Sequence, residues 1–212
     1  MCGVLRASTT REPVRRLRPR GPLLTAIPRE DTLFPGVPAA LPARDRHAKE
    51  CAVSDRAFQD YYPDDVAHCY GCGRLNEHGH RIRSFWDGEE TVCRFEPRPF
   101  HTASPGFVYG GLIASLIDCH GTGTAAAAAY RAEQRAMDTE PPLRYVTASL
   151  HVDYLKPTPL GVVLEVRARI REVKGRKVVV TATLAADGQV TARGEVVAVR
   201  MPEEMMQRAR AE

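Results

Sequence analysis

The chain has 212 residues, 43% of them hydrophobic, which is enough for one domain of ordinary size and too few for two large ones. Its net charge of +4 is unevenly spread. Residues 1–50 carry ten basic and five acidic side chains, whereas the remainder carries 20 basic and 21 acidic ones. The basic surplus belongs to the N-terminal segment, so it gives no support to nucleic-acid binding by the rest of the chain.

The N-terminal segment, residues 1–53, is rich in Arg and Pro and shows neither helical nor strand periodicity. Its apolar runs are too short for a membrane span or a secretory signal. It is predicted to be a disordered extension or a stretch upstream of the true start. An Arg-rich transit peptide is a further interpretation, against which Pro and acidic residues count. Residues 54–204 are expected to form the folded domain, and 205–212 a C-terminal tail.

The six cysteines occur without a recognisable secretory signal, which is typical of free thiols in a reducing compartment. No apolar stretch is long enough to cross a bilayer. We therefore expect a cytoplasmic protein without membrane insertion.

The first regular elements predicted are two short strands, 81–86 and 91–95. Asp87 and Gly88 between them are a frequent turn pair, so the strands are expected to form a hairpin.

A long apolar helix is predicted from about Gly111 to Ala136, because aliphatic side chains recur at helical spacing. These side chains are Leu112, Ile113, Leu116 and Ile117. Gly121 and Gly123 lie inside the helix, each at a cost of about 1 kcal/mol relative to Ala. They are either simply tolerated in a buried helix, or they allow a ligand or a partner helix to approach closely.

Four segments after the helix alternate between apolar and polar side chains, as strands with one buried face do. The segments are 146–154, 162–170, 178–184 and 190–198. Turn residues at 174–176 and 187–188 join the later strands, so an antiparallel meander is expected.

In the first of these strands, strict alternation sets Val146, Val152 and Tyr154 on one face and Thr147 on the other. A long helix laid across a single antiparallel sheet would bury the apolar faces of both. The predicted fold class is therefore α+β.

A single carboxylate, Asp118, interrupts the apolar helix, where it is costly unless it is paired or used. The helix starts at Gly110 and Gly111, where unsatisfied N–H groups and the helix dipole favour a developing negative charge. Seven residues, or about 10 Å along the helix, separate Gly111 from Asp118. The two groups of one chain are too far apart to act on one carbonyl. Antiparallel copies of the helix would bring them together, so an active site here is predicted to be shared by two subunits.

Three motifs in this order resemble the hotdog-fold acyl-CoA thioesterases of the PaaI-like and THEM-like branch. They are 69–76 (CYGCGRLN), 105–118 (PGFVYGGLIASLID) and 146–157 (VTASLHVDYLKP), and the resemblance covers about residues 65–200. It implies a hotdog fold, in which a curved antiparallel sheet wraps a long central helix. It also implies hydrolysis of an acyl-CoA thioester by a homodimer or dimer of dimers, without a metal or redox cofactor.

The resemblance also implies roles for individual residues. Asp118 matches the family's general base for water or, alternatively, its nucleophile. The Gly110 N–H would stabilise the developing oxyanion, and the Thr147 hydroxyl would orient the attacking water. Plainer interpretations are a buried structural aspartate, a glycine pair needed for a turn, and a β-branched residue suited to a strand.

Tyr109 departs from the family pattern, which has His before the two glycines. A phenol with an ordinary pKa of about 10 is no base at neutral pH, but it could donate a hydrogen bond or wall off the acyl group. His101, in the preceding loop, is the candidate substitute for the missing His. Two alternative functions remain: a non-catalytic acyl-CoA-binding sensor, and a hydratase or dehydratase, against which the missing His counts.

Substrate contacts are expected from Tyr109, Gly111 and His101 beside the helix start. Four basic residues near strand ends and one hairpin are predicted to neutralise the coenzyme A phosphates. They are Lys156, Lys174, Arg176 and Lys177.

Cys69-x-x-Cys72, together with His78 and His80, could supply four zinc ligands. A single C-x-x-C is common, however, and the two histidines are only two residues apart. The preferred interpretation is a turn whose cysteines pack near the mouth of the site, and no metal is predicted. His120 follows Asp118 by two residues and points about 160° away on the helix, so it is expected to pack rather than to form a dyad.

Overall fold

The computed structural model describes residues 56–202 and 204–207. The extension predicted over residues 1–53 lies outside the described residues, as does most of the predicted tail. Two 3-10 helices, Phe58–Tyr61 and Asp64–Val66, open the described part. None of the described helices is both long and apolar enough to cross a membrane.

The predicted hairpin is confirmed by β1 (Ser84–Asp87) and β2 (Glu90–Phe95), which pair antiparallel. Gly88 in the turn has a φ of 65°, a conformation that glycine adopts without strain. β1 begins at Ser84 rather than at residue 81, because the preceding residues bond to another loop. The N–H of Ile82 donates to the Gly71 carbonyl at 3.0 Å, and Arg81 has a φ of 53°.

The long helix is α1 (Gly110–Ala132), which ends four residues earlier than predicted. Gln134 has a φ of 53°, and its N–H donates to the Arg131 carbonyl at 3.1 Å. The next N–H, of Arg135, donates to the Tyr130 carbonyl at 2.9 Å. These two bonds form a Schellman cap. The helix end escaped prediction because the left-handed residue of the cap is Gln rather than Gly.

Four long strands complete a six-stranded antiparallel sheet. They are β3 (Tyr145–Tyr154), β4 (Leu164–Lys174), β5 (Lys177–Ala186) and β6 (Gln189–Arg200). The predicted meander is confirmed for β4, β5 and β6. In the sheet order β1-β2-β4-β5-β6-β3, β3 pairs with β6 and forms an edge of the sheet.

α1 packs across the sheet, and the core lies between them. Close contact requires glycine at two points. A Cβ on Gly121 would lie 2.6 Å from Cγ2 of Val196, and one on Gly194 would lie 2.5 Å from Cγ2 of Ile117. Gly121 therefore allows close approach, but the approaching group is strand β6 of the same chain rather than a ligand or a partner helix.

The strict alternation predicted for β3 is wrong, because the strand has a bulge between Thr147 and Ser149. Thr147 lies opposite Ala198, which is fully buried beneath α1, and Val152 lies opposite Gly194, which contacts Ile117 of α1. The extra residue of the bulge shifts the phase of the strand by one. Thr147 consequently shares the helix-facing side of the strand with Val152, not the opposite side.

Candidate active site

The carboxylate of Asp118 faces β3, where the Thr147 hydroxyl donates a hydrogen bond to Oδ1 at 2.5 Å. The residue is half-buried in the single chain. Burial raises the pKa of Asp118; the Thr147 bond opposes this shift and the nearby Cys69 thiol adds to it. A carboxylate with a raised pKa is a stronger proton acceptor than an ordinary surface aspartate.

The start of α1 lies against the far end of β3. The Tyr154 hydroxyl donates to the Gly110 carbonyl at 2.9 Å, and the Tyr154 ring lies 3.4 Å from the position of a Cβ on Gly110. Tyr109, 56% exposed, folds its ring over Gly111, where a Cβ would lie 2.1 Å from the phenol oxygen. As the first residue of the helix, Gly110 has an N–H with no acceptor inside α1.

Gly110 and Asp118 lie at different places along one helix. Eight residues separate them, which is about 12 Å at ~1.5 Å per residue. β3 runs antiparallel to this part of α1, so that Thr147 bonds to Asp118 and Tyr154 bonds to Gly110. Within one chain the two groups are therefore held apart, as the helical spacing predicts.

His101 contacts the helix start through its main chain, whose carbonyl accepts the Tyr109 N–H at 2.9 Å. Its ring packs against His80 and Phe95, with centroids 5.2 Å and 5.7 Å away. Burial and the neighbouring His80 and Arg98 lower the pKa of His101. The Nδ1 atom accepts the main-chain N–H of Arg98 at 3.0 Å, so this nitrogen is occupied. The role predicted for His101 as a substitute for the missing His stays a prediction.

Within one chain, the four basic residues predicted to hold coenzyme A lie at two places, and their role stays a prediction. Lys174, Arg176 and Lys177 lie at the β4–β5 turn, beside the end of the sheet where Lys177 pairs with Val199. Lys156 lies at the opposite end, where its N–H donates to the Thr191 carbonyl. The length of β3, about 30 Å at ~3.3 Å per residue, separates them. Sequence proximity to strand ends did not reveal which end each residue occupies.

The predicted turn at Cys69 and Cys72 is confirmed by a bond from the Gly73 N–H to the Cys69 carbonyl at 2.7 Å. A third thiol, from Cys119 on α1, joins them, and all three sulfur atoms lie within 4.8 Å of one another. Neither His78 nor His80, which the sequence grouped with this motif, belongs to the cluster. Burial raises the pKa of the unrelated thiol Cys93 to about 12.

His120 packs in the core, as predicted. Nε2 lies 3.2 Å from the Thr91 hydroxyl and Nδ1 lies 2.9 Å from the Ser84 hydroxyl. Complete burial lowers the pKa of His120 to about 4, so the ring is neutral at neutral pH. These contacts exclude a dyad with Asp118 within the chain.

Sequence reasoning missed two contributors near Asp118 and Gly110. The contact of the Tyr154 hydroxyl with Gly110 was not predicted, because the alternating pattern placed Tyr154 among the core side chains. Cys119 was hidden because it is 47 residues away from Cys72 in the sequence, although it directly follows Asp118. Its adjacency to the carboxylate was the only local signal available.

Comparison with known proteins identifies the family. A family model described as the thioesterase superfamily matches residues 105–197. A solved thioesterase superfamily protein from Shewanella loihica PV-4 is 52% identical, with a TM-score of 0.51, and the match covers 66% of this chain and 100% of the other. The chain belongs to the thioesterase superfamily. Its antiparallel sheet and the long helix α1 form the hotdog fold of that superfamily, which confirms the predicted fold class.

Curated relatives of this superfamily member carry a more specific name. Acyl-coenzyme A thioesterase THEM4 of Xenopus laevis is 38% identical over 87 residues, which are 41% of this chain and 33% of that protein. THEM4 of Rattus norvegicus is 33% identical over 108 residues, 51% of this chain and 41% of that protein. The chain thus spans less than half the length of these curated relatives.

Proposed function

We propose that this chain hydrolyses an acyl-CoA thioester to a free acid and coenzyme A, at a site shared by two copies of the chain. The bond between Thr147 and Asp118 carries the proposal, because it holds a half-buried carboxylate ready to accept a proton. The name of the THEM4 relatives supports the substrate class.

In the proposed reaction Asp118 takes a proton from water, and the hydroxide attacks the thioester carbonyl carbon. The Gly110 N–H of the other copy donates to the carbonyl oxygen as negative charge builds on it. When the C–S bond breaks, the proton held by Asp118 passes to the departing thiolate. The products are a free acid and the thiol of coenzyme A.

Replacement of the carboxylate tests the reaction. Asp118→Asn keeps an oxygen that accepts the Thr147 bond but removes the base, so thiol release from a panel of acyl-CoAs should fall by about 10²- to 10⁴-fold. Asp187→Asn, in the β5–β6 turn, is the control and should retain full activity.

Three results would contradict this assignment. Unchanged release by Asp118→Asn removes the residue from the mechanism. Tight binding of acyl-CoA by the wild type without release identifies a non-catalytic binding protein. Hydration of an enoyl-CoA without thiol release identifies a hydratase.

The sharing of the site is tested by complementation between two inactive variants. Gly110→Pro removes the proposed oxyanion donor at a position where Pro fits, because Tyr109 before it is extended, with φ −61° and ψ 128°. Gly110→Ala adds a Cβ but keeps the N–H, and it controls for contact with the Tyr154 ring.

Dimers mixed from Gly110→Pro and Asp118→Asn chains each contain one site in which both groups are intact. After statistical exchange the mixture should regain about a quarter of wild-type activity, because half of the dimers are mixed and each of these has one working site. No recovery, with exchange verified by mass-tagged subunits, would show that the site lies within one chain.

A further inference from the structure

The three thiols beside Asp118 are arranged as ligands of one ion. The sulfur atoms of Cys69, Cys72 and Cys119 all lie within 4.8 Å of one another, and those of Cys69 and Cys119 are 4.0 Å apart. Thiolates around tetrahedral Zn²⁺ lie about 3.8 Å apart, given Zn–S bonds of about 2.3 Å. Small rotations of these three side chains would therefore bring the sulfur atoms to the spacing found around tetrahedral zinc.

We propose that Cys69, Cys72 and Cys119 bind Zn²⁺ as three thiolates, with the fourth position open to solvent. Cys72 and Cys119 are buried, 9% and 7% exposed, whereas Cys69 is exposed and gives the ion a route from solvent. Thiolate ligands favour Zn²⁺ over Mg²⁺ or Ca²⁺, which bind oxygen. This inference does not depend on the proposed hydrolysis.

The loop that carries the first two cysteines is a tight turn that packs on α1. The Gly73 N–H closes a turn onto the Cys69 carbonyl at 2.7 Å, and this turn holds Cys69 and Cys72 close together. A Cβ on Gly71 would lie 2.2 Å from the Cys119 sulfur, so the glycine leaves room for this sulfur to point at the loop. A side chain at position 71 would push the Cys119 sulfur away from Cys69 and Cys72.

The guanidinium of Arg144 compensates the charge of the bound site, and this group has a buried nitrogen without a hydrogen-bond acceptor among the described residues. Arg144 stacks on the Tyr62 ring at 3.6 Å, and its positive charge acts on Cys72. Among the described residues its buried Nη1 has no hydrogen-bond acceptor. Three thiolates and a divalent cation leave one negative charge, which the guanidinium offsets, as burial of such a group requires.

An ion at this position would tie the 69–73 loop to α1 at the residue next to Asp118. The site would therefore fix the wall beside the carboxylate, and removal of the ion should loosen the fold there. Because the three thiols meet only in the folded chain, the free energy of zinc binding contributes to the free energy of folding.

Metal analysis of the full chain tests the proposal. Protein purified from zinc-supplemented cells and cleared of loose metal should carry stoichiometric zinc by mass spectrometry. Substitution with Co²⁺ should produce thiolate-to-cobalt charge-transfer absorption and the intense visible bands of tetrahedral cobalt. Cys69→Ala and Cys119→Ala should each retain less than a tenth of the wild-type metal.

Cys93→Ala is the matched control, because Cys93 is also a buried free thiol but lies outside the cluster on β2. It should retain full metal, with folding of every variant checked by circular dichroism. If Cys119→Ala fails to fold, Cys69→Ala decides the result, because its side chain is exposed. The proposal is overturned by wild-type protein that binds no zinc, by full zinc in Cys69→Ala, or by a disulfide among the three cysteines in protein purified anaerobically.

Discussion

At the scale of single residues, the behaviour of Asp118 depends on its neighbour Thr147. Burial raises the pKa of Asp118, and the 2.5 Å bond from Thr147 lowers it. The carboxylate must be ionised to accept a proton, so the proposed activity should fall as the pH drops through this pKa. The hydroxyl therefore extends activity toward lower pH.

Thr147→Val tests this relation. Removal of the bond leaves burial unopposed and raises the pKa of Asp118 further, so the acidic limb of the kcat/KM profile should move to higher pH. At a pH on the acidic limb, Thr147→Val should be less active than the wild type. At a pH well above the limb, Asp118 is ionised in both proteins and the pKa shift has no effect on activity. Thr147→Ser retains the hydroxyl and should keep the wild-type limb. If the acidic limb of Thr147→Val lies at the same pH as that of the wild type, the limb is due to the titration of a group other than Asp118.

At the scale of elements, the packing of α1 on β6 overrides helix propensity. Gly121 lies within the helix, where Ala is favoured by about 1 kcal/mol. A Cβ there, however, meets Cγ2 of Val196 at 2.6 Å and its Cβ at 2.9 Å. Neither atom is the far end of a flexible side chain, so the helix or the strand has to move.

Gly121→Ala should therefore lower the free energy of unfolding. Overpacking costs about 1–3 kcal/mol, and the higher helix propensity of Ala offsets part of that cost. Urea unfolding monitored by circular dichroism measures the change. Val196→Ala creates the missing space, so the double variant should be more stable than the sum of the two single changes predicts. Additive effects would mean that the two side chains do not collide.

At the scale of the whole molecule, the two edges of the sheet differ. β1 has four residues, a length typical of a protected edge, whereas β3 has ten. Apolar side chains of β3 are also exposed in the single chain: Leu150 is 38% exposed and Tyr154 is 56% exposed. A long edge of this kind is suited to pairing with a second copy, and it lies next to both Asp118 and Gly110.

Leu150→Glu should weaken the proposed dimer at least about tenfold, equivalent to ~1.4 kcal/mol, because two carboxylates are brought to one interface. Sedimentation measures the association, and hydrolysis should decline in parallel with it. Val173→Glu, which changes a 62% exposed side chain on β4, is the control and should leave the dimer intact. A monomeric Leu150→Glu protein with full activity would refute the shared site.

Elements whose signals are local could be predicted from the amino-acid sequence. Helical spacing of aliphatic residues predicted α1, the Asp87-Gly88 pair predicted the hairpin, and alternation predicted the meander of β4 to β6. The isolated carboxylate at Asp118 was visible because polarity against an apolar background is also a local property.

How distant segments meet could not be predicted in this way, because it depends on strand pairing and on packing between elements. The bulge that turns Thr147 toward Asp118 depends on pairing with β6, and alternation within β3 carries no sign of it. Cys119 joins Cys69 and Cys72 because a glycine loop packs on the helix, and Lys156 is far from the β4–β5 turn because antiparallel pairing sends it to the other end of the sheet. Periodicity reports which side of an element is buried, whereas register and long-range packing set which residues become neighbours.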